Sequence, residues 1–564
     1  MSSGRTLLAA APRRLSGRLL CGFAGLALAA GVHGPALADE APFVVDAAVG
    51  GVRGVADDGI AEFRGIPYAE APIGDLRWKP PVAKARWDGV RDATEFGAPC
   101  FQLQSRPTAS NIYAEELGPM SEDCLTLNIW APTNAEKAPV FVWIHGGALV
   151  SGASSFGIYD GTHLAEEGVI VVSLNYRLGA LGFLAHPELS AESDHGVSGN
   201  YGLLDQIEAL RWIKRNIAVF GGDPDNVTIA GESAGALSAM YLMTSPPAQG
   251  LFDKAVMQSS YMVSTPALKE PQHGHPSAES IGMWLQGKLE ADGLADLRAM
   301  GPRELTDRAT AAGYPTWATV DGKVLPYQIV EAFDRGEQAR VPLLAGFNSG
   351  EIRSLRRLLP PAPEDAGEYE AKVRAAYGEL AGRYLAAYPA GAIDESMLAA
   401  TRDALYGWTA QRMGAKHAEA GQPAYLYLFD HGYPAADEAG LHAFHASEIP
   451  FMFGTIWETT DSWPRIPRTE QQRGLSDAMV DYWTSFARTG QPVAEGHPDW
   501  PAFGAEEAFM VFDDKPFVVN DVLGDRYDLY EETVCRRRAA GDQQWNWNVG
   551  VISPPLPPRV PQCR

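Results

Sequence analysis

The sequence predicts an α/β protein built on a large, mostly parallel, doubly wound sheet with helices on both faces. Three observations predict it. Residues 140–144 (VFVWI) and 169–174 (VIVVSL) are apolar throughout, not alternating, as central strands covered on both faces must be. Residues 203–216 have helical spacing, with Leu204, Ile207, Leu210 and Ile213 on one stripe. That helix leads to residues 227–230 (VTIA), a short strand running into Gly231-Glu232-Ser233-Ala234-Gly235. Strand, helix, strand and sharp turn in this order form the core of a doubly wound sheet.

The remaining elements follow along the chain. Residues 1–38 read as a secretory signal and not as fold. Arg5, Arg13, Arg14 and Arg18 make a basic start without acids, residues 19–32 are an apolar run, and Ala36-Leu37-Ala38 is a small-x-small cleavage site. The run is too short and too rich in Gly and Ala to span a bilayer, so export to the periplasm or medium is expected, with no stable membrane insertion. Residues 43–65 read as an opening hairpin turning at Asp57-Asp58-Gly59. Further strands are expected at 255–257, 341–345 and 424–429. The stretch 280–420 reads as mainly helical, a cap over the sheet's C-terminal edge. Residues 553–561 are Pro-rich and expected to be irregular. A length of 564 residues suggests three or four domains, but no linker, charge run or repeat divides the interior. Residues 39–564 are therefore expected to form one domain.

Charge and cysteines bound the partners. The net charge of −24 becomes more negative still when the four signal arginines leave, which disfavours nucleic acid and anionic membranes. Cys21 leaves with the signal. Cys100, Cys124, Cys535 and Cys563 remain, an even number for an oxidising compartment. Three pairings are possible. The short loop favours Cys100 with Cys124, and Cys535 with Cys563 would then pin the tail. No Cys/His cluster has zinc spacing, and neither a metal nor an organic cofactor is implied. The oligomeric state is not legible.

The pentapeptide 231–235 is G-x-S-x-G, a nucleophile elbow. A strand turning at once into a helix strains the serine backbone, and flanking side chains would clash. Gly231 and Gly235 remove the clash and expose Ser233 Oγ, while the Ala234 N–H opens the helix toward a developing oxyanion.

Several separated motifs resemble the type-B carboxylesterases, the cholinesterase-like branch of the α/β-hydrolases. Residues 220–224 (FGGDP), followed by VTIAGESAG, are similar to the family's serine signature, and 122–128 (EDCLTLN) to its second signature, with Thr126 where an aromatic is usual. Residues 63–69 (FRGIPYA), 175–179 (NYRLG), 199–206 (GNYGLLDQ) and 486–492 (FARTGQP) also fit. The resemblance covers roughly 43–530. It implies the α/β-hydrolase fold and a serine ester hydrolase acting on small to medium organic esters.

The resemblance also implies the site. Ser233 is the nucleophile. His445, in HAFHASEIPF (442–451), is the base, and Glu351, in GFNSGE (346–351), orients it; Ile352 stands where the family usually has glycine. The oxyanion donors are the N–H groups of Gly147, Ala148 and Ala234, Ala148 replacing a commoner glycine. Glu232 resembles the family's acid beside the nucleophile. Arg77 with Glu122 and Arg177 with Asp205 resemble its structural ion pairs. Two other readings use the same residues: an inactive esterase-like binding module, and a lipase or amidase with the same triad.

The substrate is less legible. Choline recognition needs an aromatic cage. Between Cys100 and Cys124 there is no Trp, only Phe101 and Tyr113, and Ser354 stands where the family has an aromatic. Arg353, Arg356 and Arg357 instead cluster just past Glu351. An arginine facing the site would suit a carboxylate-bearing ester of the fumonisin type; a solvated basic helix end is the plainer alternative.

Overall fold

In the computed structural model, which describes residues 41–104, 111–545 and 553–563, thirteen strands hydrogen-bond into one sheet. The expected signal segment 1–38 lies outside the described residues. The first three strands, β1 (Ala41–Ala47), β2 (Gly50–Asp57) and β3 (Ile60–Pro67), form an antiparallel meander. Its second turn is Asp58-Gly59, both with positive φ (42° and 87°), the geometry a two-residue hairpin needs. A short β4 (Val90–Asp92) pairs with β2. Then follow β5 (Thr126–Pro132), β6 (Ala138–Ile144), β7 (Ile170–Leu174), β8 (Gly222–Glu232) and β9 (Lys254–Gln258). The last four are β10 (Leu343–Asn348), β11 (Ala424–Phe429), β12 (Ala508–Phe512) and β13 (Pro516–Asn520). The path from β7 through β6, β8, β9, β10 and β11 to β12 is parallel throughout.

The non-alternating pattern of β6 has the expected cause. Val140, Val142 and Ile144 pack into the apolar core on one face of the sheet. Phe141 and Trp143 pack into the core on the other. All five are completely buried.

Two differences from the sequence reading concern strands. β4, β5, β12 and β13 were not expected as strands. β13 is an edge strand with Phe517 and Val518 exposed, so no buried-strand pattern marks it. β8 begins at Gly222, five residues before its apolar stretch, because it pairs with β6 along its length, across a bulge. The 280–420 region is helical as expected, from Ala278–Lys288 to Trp408–Glu419, with β10 passing through it. The tail from Ser553 is irregular.

Both disulfides form, Cys100–Cys124 and Cys535–Cys563. The first closes a loop with a separation of 24 residues, which stabilises by about 3 kcal/mol. The second ties the tail to the helix Asp525–Ala540. Arg77 and Glu122 pair bidentately at 2.7 Å, and Arg177 and Asp205 at 2.7 and 2.8 Å. Among the described residues, no helix is long and apolar enough to cross a membrane.

Candidate active site

The sheet order places the site. From β6 the chain crosses to β7 on one side, then returns through the helix Tyr201–Asn216 to β8 on the other. Strand order reverses at β6, and crevices form at the carboxyl ends of strands at such switch points. Here the loop after β6 meets the turn after β8.

That turn is the expected elbow. Ser233 has φ 56° and ψ −121°, a conformation side chains rarely adopt, and it caps the helix Ala234–Thr244. Such strain costs about 1–3 kcal/mol and persists only when the surroundings impose it. Here the Ser233 N–H donates to the Gln258 carbonyl at 2.9 Å. A Cβ on Gly231 would lie 2.4 Å from the Gly235 carbonyl carbon, and one on Gly235 would lie 2.0 Å from the Ile144 carbonyl oxygen. Both glycines are steric requirements of the turn.

The facing loop, His145-Gly146-Gly147-Ala148, is equally constrained. Gly147 has φ 100°, and a Cβ there would meet the Ser151 carbonyl oxygen at 2.1 Å. Ala148 and Leu149 also have positive φ, 56° and 61°. A Cβ on Gly146 would lie 3.3 Å from Ser233 Cβ, so the loop touches the elbow. The N–H groups of Gly147, Ala148 and Ala234 donate to no acceptor among the described residues. Ala148, in a glycine's usual place, is exposed and keeps the left-handed backbone that glycine adopts readily.

Glu351 and His445 arrive together from β10 and β11. Gly350 bridges Phe444, and the Gly350 N–H donates to the Ala443 carbonyl at 2.8 Å. This sets residue 351 beside residue 445. Glu351 Oε1 accepts from the Asn348 N–H at 2.9 Å, and Oε2 contacts His445 Nδ1. Ile352 is buried with ordinary backbone, so the missing glycine leaves the turn undisturbed.

His445 Nε2 lies 3.0 Å from Glu232 Oε1, an ion-pair distance in an alignment too poor for a hydrogen bond. Ser233 Oγ has no hydrogen-bond partner among the described residues. The structure therefore brings Glu351, His445 and Glu232 into contact and keeps Ser233 one residue from that contact. Burial alone would hold His445 neutral, but the charges of Glu232 and Glu351 outweigh it and raise its pKa well above the usual value. Burial raises Glu232, with His445 opposing.

Sequence reasoning passed over several groups in the same site. Glu448 is completely buried, and its carboxyl is pushed up to about 8 by burial first and by Glu232 next. It accepts from Gln258 Nε2 at 2.9 Å and Asn348 Nδ2 at 2.6 Å, tying the elbow's neighbour β9 to β10. The signal was present: a glutamate inside the apolar SEIPF stretch has no reason to be there unless it is bonded. Tyr113 donates to the His445 carbonyl at 2.9 Å and also bonds Ser354 Oγ at 2.6 Å. Tyr406 lies 5.4 Å from the His445 ring, on a π-helical turn, Asp403–Gly407. Such turns recur at functional sites. Of the three arginines, Arg353 pairs with Glu395 at 2.6 Å and Arg356 with Asp394. Arg357 has no ion-pair partner among the described residues. Burial raises the Tyr261 hydroxyl, Tyr241 and Glu232 add to this, and Arg357 opposes it.

Known proteins share this arrangement of chain. The model of the carboxylesterase family matches residues 41–528. Fumonisin B1 esterase of Sphingopyxis macrogoltabida is 36% identical over 493 residues, covering 84% of this chain and 87% of the relative. Para-nitrobenzyl esterase of Bacillus subtilis is 35% identical over 492 residues, covering 85% and 96%. A solved PNB esterase superposes with a TM-score of 0.75 at 31% identity, covering 86% of this chain and 99% of that one. A carboxylesterase of Geobacillus stearothermophilus superposes with a TM-score of 0.71 at 33% identity and the same coverage. With a family match over most of its length and an α/β-hydrolase sheet beneath it, this chain belongs to the carboxylesterase family of serine ester hydrolases.

Proposed function

We propose that the protein hydrolyses carboxylic esters through Ser233, His445 and Glu351, by way of an acyl-enzyme. The observation that carries this is the buried His445–Glu351 contact beside the strained serine of the elbow. His445 Nε2 leaves Glu232 and accepts the Ser233 proton as Oγ attacks the carbonyl carbon. The tetrahedral oxyanion is held by the N–H groups of Gly147, Ala148 and Ala234, whose donors are not otherwise used. His445 then gives its proton to the leaving alcohol, and water repeats the sequence on the acyl-enzyme. Glu351 fixes the tautomer and stabilises the imidazolium. Ser233→Ala should retain the fold and lose activity by a factor on the order of 10⁴ or more in kcat toward a chromogenic ester. Substantial turnover by the folded variant would sink the assignment.

The substrates we infer are small to medium esters, including carboxylate-bearing ones. Similarity to a fumonisin B1 esterase supports this, and Arg357, exposed and without an ion-pair partner among the described residues, is the arginine left to meet a carboxylate. Arg353 and Arg356 are satisfied by acids and are assigned no role. A charge-assisted hydrogen bond is worth about 1.5–3 kcal/mol. Arg357→Gln should therefore lower the preference for anionic over neutral esters roughly ten- to a hundredfold. An unchanged ratio would send the search to uncharged esters. We also infer that residues 1–38 are removed on export and that residues 39–564 act as one domain. Two disulfides support an oxidising destination.

A further inference from the structure

We propose that His431, Asp513 and Asp514 form a site for one divalent transition-metal ion of the zinc type, away from the ester chemistry. The three residues lie 82 and 83 positions apart and meet only through the sheet. β11 and β12 pair in parallel up to Phe429 and Phe512, and the Asp430 N–H donates to the Phe512 carbonyl at 2.8 Å. His431 thus leaves β11 beside the turn Asp513-Asp514, which joins β12 to β13.

The imidazole is completely buried, 5.4 Å from the Phe451 ring and 6.2 Å from Phe429. Its Nε2 sits 2.9 Å from Gln472 Oε1. That oxygen only accepts, so the contact favours a hydrogen on Nε2 and leaves Nδ1 as the nitrogen able to bind an ion. Gln472 is free for this task. It occupies the third position of the helix Glu470–Thr489, from which a glutamine ordinarily reaches back to the capping residue's N–H. Here the Thr469 N–H already donates to the Pro467 carbonyl at 3.0 Å.

Nδ1 has no hydrogen-bond partner, yet points at two carboxylates. Asp514 Oδ1 is 3.4 Å away and Asp513 Oδ1 4.0 Å. A proton on Nδ1 would make this an ion pair, and a divalent ion in the proton's place would make the same three groups a ligand set. Bonds of about 2.0–2.2 Å around a tetrahedral zinc place neighbouring ligand atoms roughly 3.3–3.6 Å apart. The ligand atoms here all lie within 4.8 Å of one another. Both aspartate side chains are at least half exposed and free to close the remaining distance. A bound histidine whose other nitrogen donates to a fixed acceptor is the usual arrangement around such ions. Imidazole selects a transition ion over calcium or magnesium. The bound ion would clamp the exit of β11 to the β12–β13 turn.

Zn²⁺ titrated calorimetrically into the EDTA-stripped full chain tests this. The expected result is one equivalent bound with a Kd in the micromolar range and a thermal midpoint that rises with zinc. His431→Gln should weaken binding at least tenfold and abolish the thermal rise. The paired exposed change Asp513→Asn with Asp514→Asn should do the same, and it carries the test if the buried variant fails to fold. Both should keep wild-type ester hydrolysis, which separates this site from the triad. Absence of stoichiometric binding, or equal binding by the aspartate variant, would overturn the proposal.

Discussion

His445 and His431 are both buried imidazoles facing two carboxylates, and they differ in what completes the surroundings. His445 has a carboxylate on each ring nitrogen, Glu351 at Nδ1 and Glu232 at Nε2, both buried. Two anions in a poorly solvated site outweigh the burial penalty, and the ring is held toward its charged form. His431 has its carboxylates on one nitrogen only, both exposed, and a neutral amide oxygen on the other. The difference teaches that the partner of the second nitrogen sets the chemistry. Two buried anions favour the proton carrier proposed for His445, and an unpartnered nitrogen beside exposed acids favours the ligand proposed for His431.

Breaking the first half of this comparison should have the largest effect. Glu351→Gln keeps the shape but removes the charge that orients Nδ1. A loss in kcat of roughly 10³–10⁴ is expected, the scale seen when a triad acid becomes an amide. Single-turnover kinetics on the folded variant measure it. A loss below tenfold would mean that Glu232, not Glu351, orients the ring.

Glu232→Gln sharpens the comparison. It removes the anion at Nε2 and leaves His445 with one carboxylate. The His445 pKa should fall, and because the neutral ring is the proposed base, the acid limb of the kcat/KM profile should move to lower pH. A limb that stays put would show that Glu232 does not charge the ring.

The smallest effect concerns His442, an intermediate case. Its Nδ1 bonds Asp437 at 2.9 Å and its Nε2 lies 3.3 Å from Asp430. The Asp430 hydrogen bond first, opposed by partial burial, raises this imidazole to about 9. A pKa raised by folding stabilises fully below the ordinary histidine value and ceases to do so as pH rises through the folded value. Wild type should therefore lose a small increment of stability between about pH 6.5 and 9. His442→Gln should flatten the curve in that window, read by denaturant titration at several pH values. The side chain is 41% exposed, so solvent keeps the increment small.

Much of this was determined by sequence alone, where the constraint is local. The elbow needed no neighbours to be read, because Gly231 and Gly235 answer a clash within five residues. β6 and β7 announced themselves by continuous apolar runs, since burial on both faces removes the polar alternation. The disulfides followed from an even cysteine number and a short loop, the pairs Arg77–Glu122 and Arg177–Asp205 from the family resemblance, and all four formed. Tertiary structure decided whatever depends on which strand ends adjoin. Glu448 became a bonded buried acid only when β9 and β10 brought Gln258 and Asn348 to it. Arg353 and Arg356 meet acids of the helix Ile393–Arg402 that lie some forty residues on in the sequence. His431, Asp513 and Asp514 have no spacing that signals a cluster. They meet because two parallel strands end in register, and a linear sequence carries residue types but not that adjacency.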